Sequence, residues 1–260
     1  MTDPIAARLT LAQTAARAAG AHALALFADR ASLTIETKID ALDMVSRADR
    51  EAEDIIRAHV RAAFPDDGFL GEEGGAQPGT SGFTWIMDPI DGTVPFVSGL
   101  PHWCVAIALE TPTRTEAGAI FHPLQDEMFT ARHGHGAFLN GERMQISPAT
   151  RITNSMTGIG ASHRTSAEHV AAVLQALMRK SGMFYRSGSG ALMLCHVAAG
   201  RLGGYYEPHM NVWDCLAGLL MVREAGGRTL PMPADAIAKG GPVLAAAPGV
   251  WDDLLEVSGR

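Results

Sequence analysis

Cysteine is scarce in this 260-residue chain: only Cys104, Cys195 and Cys215 occur. Three widely spaced thiols do not make a disulfide framework and do not offer the paired spacing of a zinc site, so a reducing, cytoplasmic compartment is expected. Long hydrophobic runs are lacking too. Without a stretch of about 18 consecutive apolar residues, no membrane span is predicted. Asp3, Arg8, Arg17 and Asp29 are scattered through the Ala/Leu-rich beginning of the chain. No basic segment there leads into an unbroken apolar block, so no signal peptide is expected. Positive charge is in deficit, with a formal net charge of −7. An acidic surface repels a phosphate backbone, which argues against nucleic acid as a partner. Internal repeats and long low-complexity tracts are also missing.

What is present suits a globular protein. Hydrophobic residues make up 47% of the chain, ample for a sizeable core. At roughly 100–200 residues per domain, the length predicts one domain over residues 1–260. Its two lobes divide at about residues 147/148, in a polar stretch around Pro148. Ile5, Leu9, Ala12, Ala16 and Ala19 recur at helical spacing, continued less regularly by Leu24 and Phe27. Residues 33–38 alternate like a strand. A second helix is predicted over 45–64, with Val45, Ala48, Ala52, Ile55, Ile56, Val60 and Ala63 on its apolar face and Pro65 as its stop. Short strands follow at 69–71, 83–87, 103–109, 118–121 and 127–131, then a Gly-rich turn region at 134–141.

The second half alternates more clearly. A strand at 156–161 precedes a helix opened by a Thr165/Glu168 capping box and running to about Lys180. Strands at 184–185, 202–207 and 243–247 interleave with helices at 188–200, 213–225 and 250–257, and Gly226 marks one C-terminus. Such interleaving predicts a layered α/β architecture with helices packed between sheets.

The informative string is Trp85-Ile86-Met87-Asp88-Pro89-Ile90-Asp91-Gly92-Thr93. An apolar strand delivers Asp88 to its end, Pro89 is expected to break the ladder, and Asp91 returns close by. Two carboxylates so near each other at the end of a buried strand repel unless a cation lies between them. An all-oxygen donor set suits a hard ion such as magnesium or manganese rather than zinc. Gly92 permits close approach of the backbone, and its N–H with that of Thr93 would begin a short helix, a natural seat for phosphate. An isolated Asp-Gly is simply a common turn; the nine-residue string says more. Glu72 and Glu73 follow another short apolar run. Taken singly, Asp214 reads as a helix cap and Asp49 as a partner of a helix dipole.

Together these motifs resemble the inositol monophosphatase family. Gly71-Glu72-Glu73, the string from Trp85 to Thr93, and Trp213-Asp214-Cys215-Leu216-Ala217-Gly218 are similar to its three signatures. Lys38 with the run from Asp43 to Asp49 looks like its N-terminal motif, and Arg186-Ser187-Gly188-Ser189-Gly190-Ala191 and Tyr205-Tyr206-Glu207 resemble its substrate-side segments. The resemblance implies an αβαβα sandwich, a homodimer, lithium sensitivity and two to three Mg2+ ions, with Mn2+ as a substitute. It also implies roles. Glu72, Asp88 and the Ile90 carbonyl would hold one metal, Asp88, Asp91 and Asp214 a second, and Glu72 would help hold a third. Gly92 and Thr93 would bind phosphate. Thr93, partnered by Asp49, would orient the attacking water, with Glu72 the third residue of the catalytic group. Ser189, Gly190, Ala191 and Glu207 would face the substrate, and His209, two residues past Glu207, is a further candidate for substrate contact.

The implied reaction is in-line attack by water on a phosphomonoester, without a phosphoenzyme. The implied substrate is a small phosphorylated polyol or amino-alcohol, inositol monophosphate first, with histidinol phosphate, adenosine bisphosphate or a sugar bisphosphate as alternatives. A regulatory binding protein that kept the fold is the non-enzymatic alternative. Two departures from the family pattern stand out: Val94-Pro95 where a polar pair is common, and Pro208-His209-Met210-Asn211-Val212 on the leaving-group side.

Overall fold

Asp3 starts the first helix by accepting the N–H groups of Ile5 and Ala6 on its carboxylate, and Pro4 occupies the first helical position. Helix α1 (Pro4–Ala28) buries Ala12, Ala15, Ala16, Ala19, Gly20 and Ala23, a narrow stripe of small residues that lets it lie close to what it covers, and ends it on Phe27. The computed structural model describes residues 3–30, 35–37, 44–162 and 164–260, giving only the backbone for 35–37 and 44–46. Lys38 and Asp43 of the N-terminal motif, and part of the strand expected at 33–38, lie outside the described residues.

A small antiparallel ribbon, β1 (Ile35–Thr37) with β2 (Met44–Ser46), precedes α2 (Arg47–Ala63). The second helix therefore begins two residues later than its periodicity predicts, because Val45 and Ser46 belong to a strand. Ala63, expected on its apolar face, is exposed in the last turn.

The N-terminal part forms an eight-stranded sheet. Its strands are β3 (Gly68–Gly71), β4 (Gly75–Gln77), β5 (Thr84–Asp91), β6 (Cys104–Glu110), β7 (Thr115–His122), β8 (Glu127–Arg132), β9 (Gly136–Leu139) and β10 (Glu142–Arg143), with α3 (Thr93–Ser98) between β5 and β6. The spatial order is β10-β9-β8-β7-β6-β5-β3-β4. Every neighbouring pair is antiparallel except β3 and β5, which run parallel. Pro89 does not end β5 as predicted. The register with β6 slips between Asp88 and Asp91, so the strand bulges past the residue that lacks a donor and resumes pairing at Asp91.

The second sheet contains β11 (Met156–Ile159), β12 (Met183–Tyr185), β13 (Gly204–Met210), β14 (Arg228–Thr229) and β15 (Gly241–Ala246), in the order β12-β11-β13-β15-β14. Its helices are α4 (Ala167–Arg179), α5 (Gly190–Ala198), α6 (Val212–Glu224), the short α7 (Ala236–Lys239) and α8 (Trp251–Val257). The predicted Thr165/Glu168 box is displaced by one residue: Ser166 caps α4, accepting the His169 N–H at 3.2 Å, and Thr165 Oγ1 is buried with no partner among the described residues.

Strand alternation sorts the core into layers. On β5, Trp85 and Met87 point toward α1 and α2, whereas Ile86 points to the opposite side. There it meets α5 and α6, which also receive Tyr205, Val243 and Ala245 from the second sheet. The neighbours Tyr206, Leu244 and Ala246 face outward onto α4 and α8. Helices, sheet, helices, sheet and helices thus stack in that order, the αβαβα arrangement.

Candidate active site

The two parallel strands of the large sheet end side by side, so Glu72 just beyond β3 and Asp88 on β5 emerge at one edge. Asp214 arrives from the first turn of α6, where its carboxylate accepts the Asn211 N–H at 3.1 Å. Asp214 is not the helix cap that it suggests when read singly: Asn211 is the N-cap, and Asp214, three residues on, closes a capping box with it. Glu72, Asp88 and Asp214 each offer a carboxylate oxygen, all within 4.8 Å of one another.

Such a grouping is electrostatically unfavourable by itself. Burial first, and then the charges of Glu72, Asp91, Asp214 and Asp49, push the Asp88 carboxyl well above the usual carboxylate range. Burial, followed by Glu72 and Asp91, does the same to Asp214. Three converging oxygens, no sulfur and mutual repulsion are a donor set that fits a hard divalent cation.

Asp91, expected to share a metal with Asp88 and Asp214, sits next to this group and is held by hydrogen bonds of its own. It lies outside that tight group, is only 7% exposed, and points to the start of α5. Ser189 Oγ donates to it, as do the N–H groups of Ala191 at 2.7 Å and Gly190 at 3.3 Å. Burial raises its pKa while these bonds oppose the rise. The turn expected to face the substrate divides between cleft and interior. Ser189 and Gly190 line the cleft, whereas Ala191 is fully buried, does not line it, and gives its N–H to Asp91.

Thr93 and Asp49 do meet. Thr93 Oγ1 is 3.1 Å from Asp49 Oδ1 and 3.2 Å from the Ile90 carbonyl, and the Ile90 N–H donates to Asp88 Oδ1 at 2.9 Å. Gly92 adopts φ 101° as it hands β5 over to α3. A Cβ there would lie 2.5 Å from the His102 carbonyl oxygen, so only glycine fits. Pro95 sits in the first turn of α3, lines the cleft, and packs against Gly188 so closely that a Cβ on that glycine would be 2.8 Å from the Pro95 ring.

A cleft of about 1120 Å³ opens over these groups. On its far side Glu207 accepts the Tyr205 hydroxyl, and burial lifts its pKa to about 7. His209 also lines the cleft. Its Nε2 is 2.7 Å from the Lys239 carbonyl oxygen, which fixes the ring with Nε2–H as donor, and Nδ1 is buried with no partner among the described residues. Arg186 donates to the Ala161 carbonyl at 3.1 Å along the same wall. The three cysteines are fully buried, and burial pushes each thiol well up. None is a ready nucleophile.

Glu53 and Arg57, which no sequence motif marks, form a buried pair on α2 against the turn at Glu73 and Gly74. The available signal was a row of charged residues at helical spacing on a face that is otherwise apolar.

Comparisons with known proteins identify the family and its relatives. The model of the inositol monophosphatase family matches residues 6–256. An inositol-1-monophosphatase of Rhizobium meliloti is 42% identical over 188 residues, 71% of either chain. The Nus factor SuhB of Haemophilus influenzae is 37% identical over 251 residues, covering 95% of this chain and 94% of its own. Among solved structures, the extragenic suppressor protein suhB of Bartonella henselae superposes with a TM-score of 0.92 at 35% identity, over 98% of this chain and 99% of that one. A Thermotoga maritima IMPase gives 0.86 at 28% identity, over 97% and 96%.

Proposed function

The chain belongs to the inositol monophosphatase family, and from that premise we propose that it is a magnesium-dependent phosphatase acting on an inositol monophosphate. A phosphatase is what the family supports. The finer reading rests on one observation above the others: carboxylates from residues 72, 88 and 214 converge within 4.8 Å beside a Thr93–Asp49 pair.

In this reading Glu72, Asp88, Asp214 and the Ile90 carbonyl hold the cations, with Asp91 at their edge. The chemistry a divalent cation supplies when bound is polarisation of the phosphoester and neutralisation of charge on the leaving oxygen. The chain supplies the rest. The Gly92 and Thr93 N–H groups hold phosphate oxygens. Asp49 accepts the Thr93 hydroxyl proton, which leaves a lone pair of Thr93 Oγ1 to accept a proton from the attacking water and aim its oxygen at phosphorus. The phosphorus–oxygen bond to the alcohol breaks as the bond to water forms, and the alcohol departs with a proton from solvent. Glu207, held by Tyr205, meets the hydroxyls of the leaving alcohol, and the wall around His209 shapes its far side. The inositol-1-monophosphatase name of the Rhizobium meliloti relative supports this substrate.

Phosphate release from inositol monophosphate, histidinol phosphate, adenosine bisphosphate and a sugar bisphosphate, with and without Mg2+, tests the proposal. Fastest turnover of inositol monophosphate, inhibited by lithium, is the expected result. Much faster turnover of histidinol phosphate would reassign the substrate. No Mg2+-dependent release from any of them would favour the non-catalytic reading that the SuhB-named relatives keep open.

A further inference from the structure

Helix α2 buries a row of charges. Asp49, Glu53 and Arg57 follow one another at four-residue intervals and are 2%, 3% and 6% exposed. A helix that packs on a sheet ordinarily turns apolar side chains inward, and buried charges persist only where they are paired and hydrogen-bonded. Asp49 has Thr93. The partners of the other two lie in the turn that follows β3. Glu53 Oε2 accepts the Glu73 N–H at 2.9 Å, and Glu53 Oε1 accepts the Gly74 N–H at 2.9 Å. Arg57 Nε donates to the same Oε1 at 2.7 Å, and its Nη2 donates to the Gly75 carbonyl at 2.9 Å. One carboxylate and one guanidinium therefore hold backbone groups of three successive residues, the N–H of Glu73, the N–H of Gly74 and the carbonyl of Gly75.

The sequence leaves room for this clamp. A Cβ added to Gly71 or to Gly74 would lie 2.4 Å from Glu53 Oε1. The clamped turn begins at Glu72, whose carboxylate belongs to the three-residue oxygen group. A glutamate side chain has three rotatable bonds, so the direction in which it offers its oxygen depends on how firmly its backbone is held. Groups that orient a ligand in this way typically change cation affinity by about 10–100-fold when removed. Arg57 also offsets the negative charge of Glu53, which would otherwise add to the repulsion around Asp88.

We infer that Glu53, braced by Arg57, is a positioning residue that fixes Glu72 for cation binding, an inference that rests on the proposed cation role of the site. Through the same helix it sets the spacing between Glu72 and the Thr93–Asp49 pair. Neither Glu53 nor Arg57 lines the cleft, so both act through the turn.

The test is a calorimetric Mg2+ titration of the folded protein, repeated with Mn2+ and read by water proton relaxation, on wild type, Glu53→Gln and Gly74→Ala. Gln at 53 keeps the shape but turns an amide NH2 toward one of the two N–H donors. Ala at 74 displaces the carboxylate while leaving α2 intact, and so serves if the first variant does not fold. Arg61→Ala, on the same helix, removes an exposed contact to Gln77 of β4 and is the control. The expected result is affinity roughly 10–100-fold weaker in both test variants, unchanged in the control, with kcat recovering toward wild type at saturating Mg2+. A merely structural role would lower the unfolding temperature and leave affinity per folded molecule unaltered, and that result overturns the inference while the cation reading stands. A wild-type protein that binds neither cation would overturn both.

Discussion

Thr93 Oγ1 lies 3.1 Å from Asp49 Oδ1, although the two residues are 44 positions apart and belong to different helices. Asp49 is 2% exposed, and in the proposed mechanism its carboxylate accepts the hydroxyl proton and frees the Thr93 oxygen to accept from a water. Asp49→Asn offers an amide donor in place of that acceptor. It should reduce kcat by about 10²–10⁴-fold, the range of a lost proton-positioning group. Thr93→Ala should do the same, and Thr93→Ser should retain most activity. Phosphate release, with far-ultraviolet circular dichroism to verify the fold, checks all three.

Asp88→Asn separates stability from activity. The buried Asp88 carboxyl is raised well above its ordinary range by burial and by four neighbouring carboxylates. The native state therefore holds that proton at pH values where the unfolded chain has lost it, and cation-free stability falls as pH rises above about 4. The asparagine keeps an oxygen for the Ile90 N–H and removes the charge. Unfolding measured in chelator at pH 8 should show the variant more stable by on the order of 1 kcal/mol, with phosphatase activity abolished and stabilisation by added Mg2+ sharply reduced.

Glu110 supplies a pH test away from the cleft. Burial lifts its pKa from 4.5 to about 7, against the hydrogen bond from Thr115 and the attraction of Arg223. The folded pKa exceeds the unfolded one, so this group weakens the fold progressively as pH climbs from about 4.5 to about 7, and the full penalty is present above that window. Glu110→Gln should leave stability at pH 4 unchanged and raise it at pH 8 by roughly 1–2 kcal/mol, after allowance for partial exposure. Urea denaturation at the two pH values measures the difference.

Attack by water leaves an isotopic signature. With the three thiols buried and pushed up in pKa, hydrolysis in 18O-labelled water should place one label in phosphate and none in the alcohol, and rapid quench should trap no phosphorylated protein. Label in the alcohol, or a phosphoenzyme, would require a different mechanism.

The convergence of Glu72, Asp88 and Asp214 was partly legible because these residues sit at strand and helix ends marked by local signals. The apolar run into Asp88 and the Asp91-Gly92-Thr93 corner announce a strand, a turn and a helix start in nine residues. The bulge at Pro89 was not legible: a proline reads as a stop, and only the partner strand shows that pairing resumes at Asp91. The cap at Ser166 was missed because Thr165 with Glu168 satisfies the same pattern one residue earlier. The hold of Ser189, Gly190 and Ala191 on Asp91 crosses about 100 residues of sequence, a distance over which periodicity carries no information. Glu53 and Arg57 could have been found by asking why charges at four-residue spacing lie beside Ile56 and Val60, both of which are fully buried.

The most direct measurement is anomalous diffraction from a crystal soaked in saturating Mn2+. A manganese peak bounded by the carboxylates of Glu72, Asp88 and Asp214 is the predicted result. A cleft without any such peak, or manganese bound only elsewhere on the protein, would contradict the claim that these three side chains exist to hold a cation against a phosphoester.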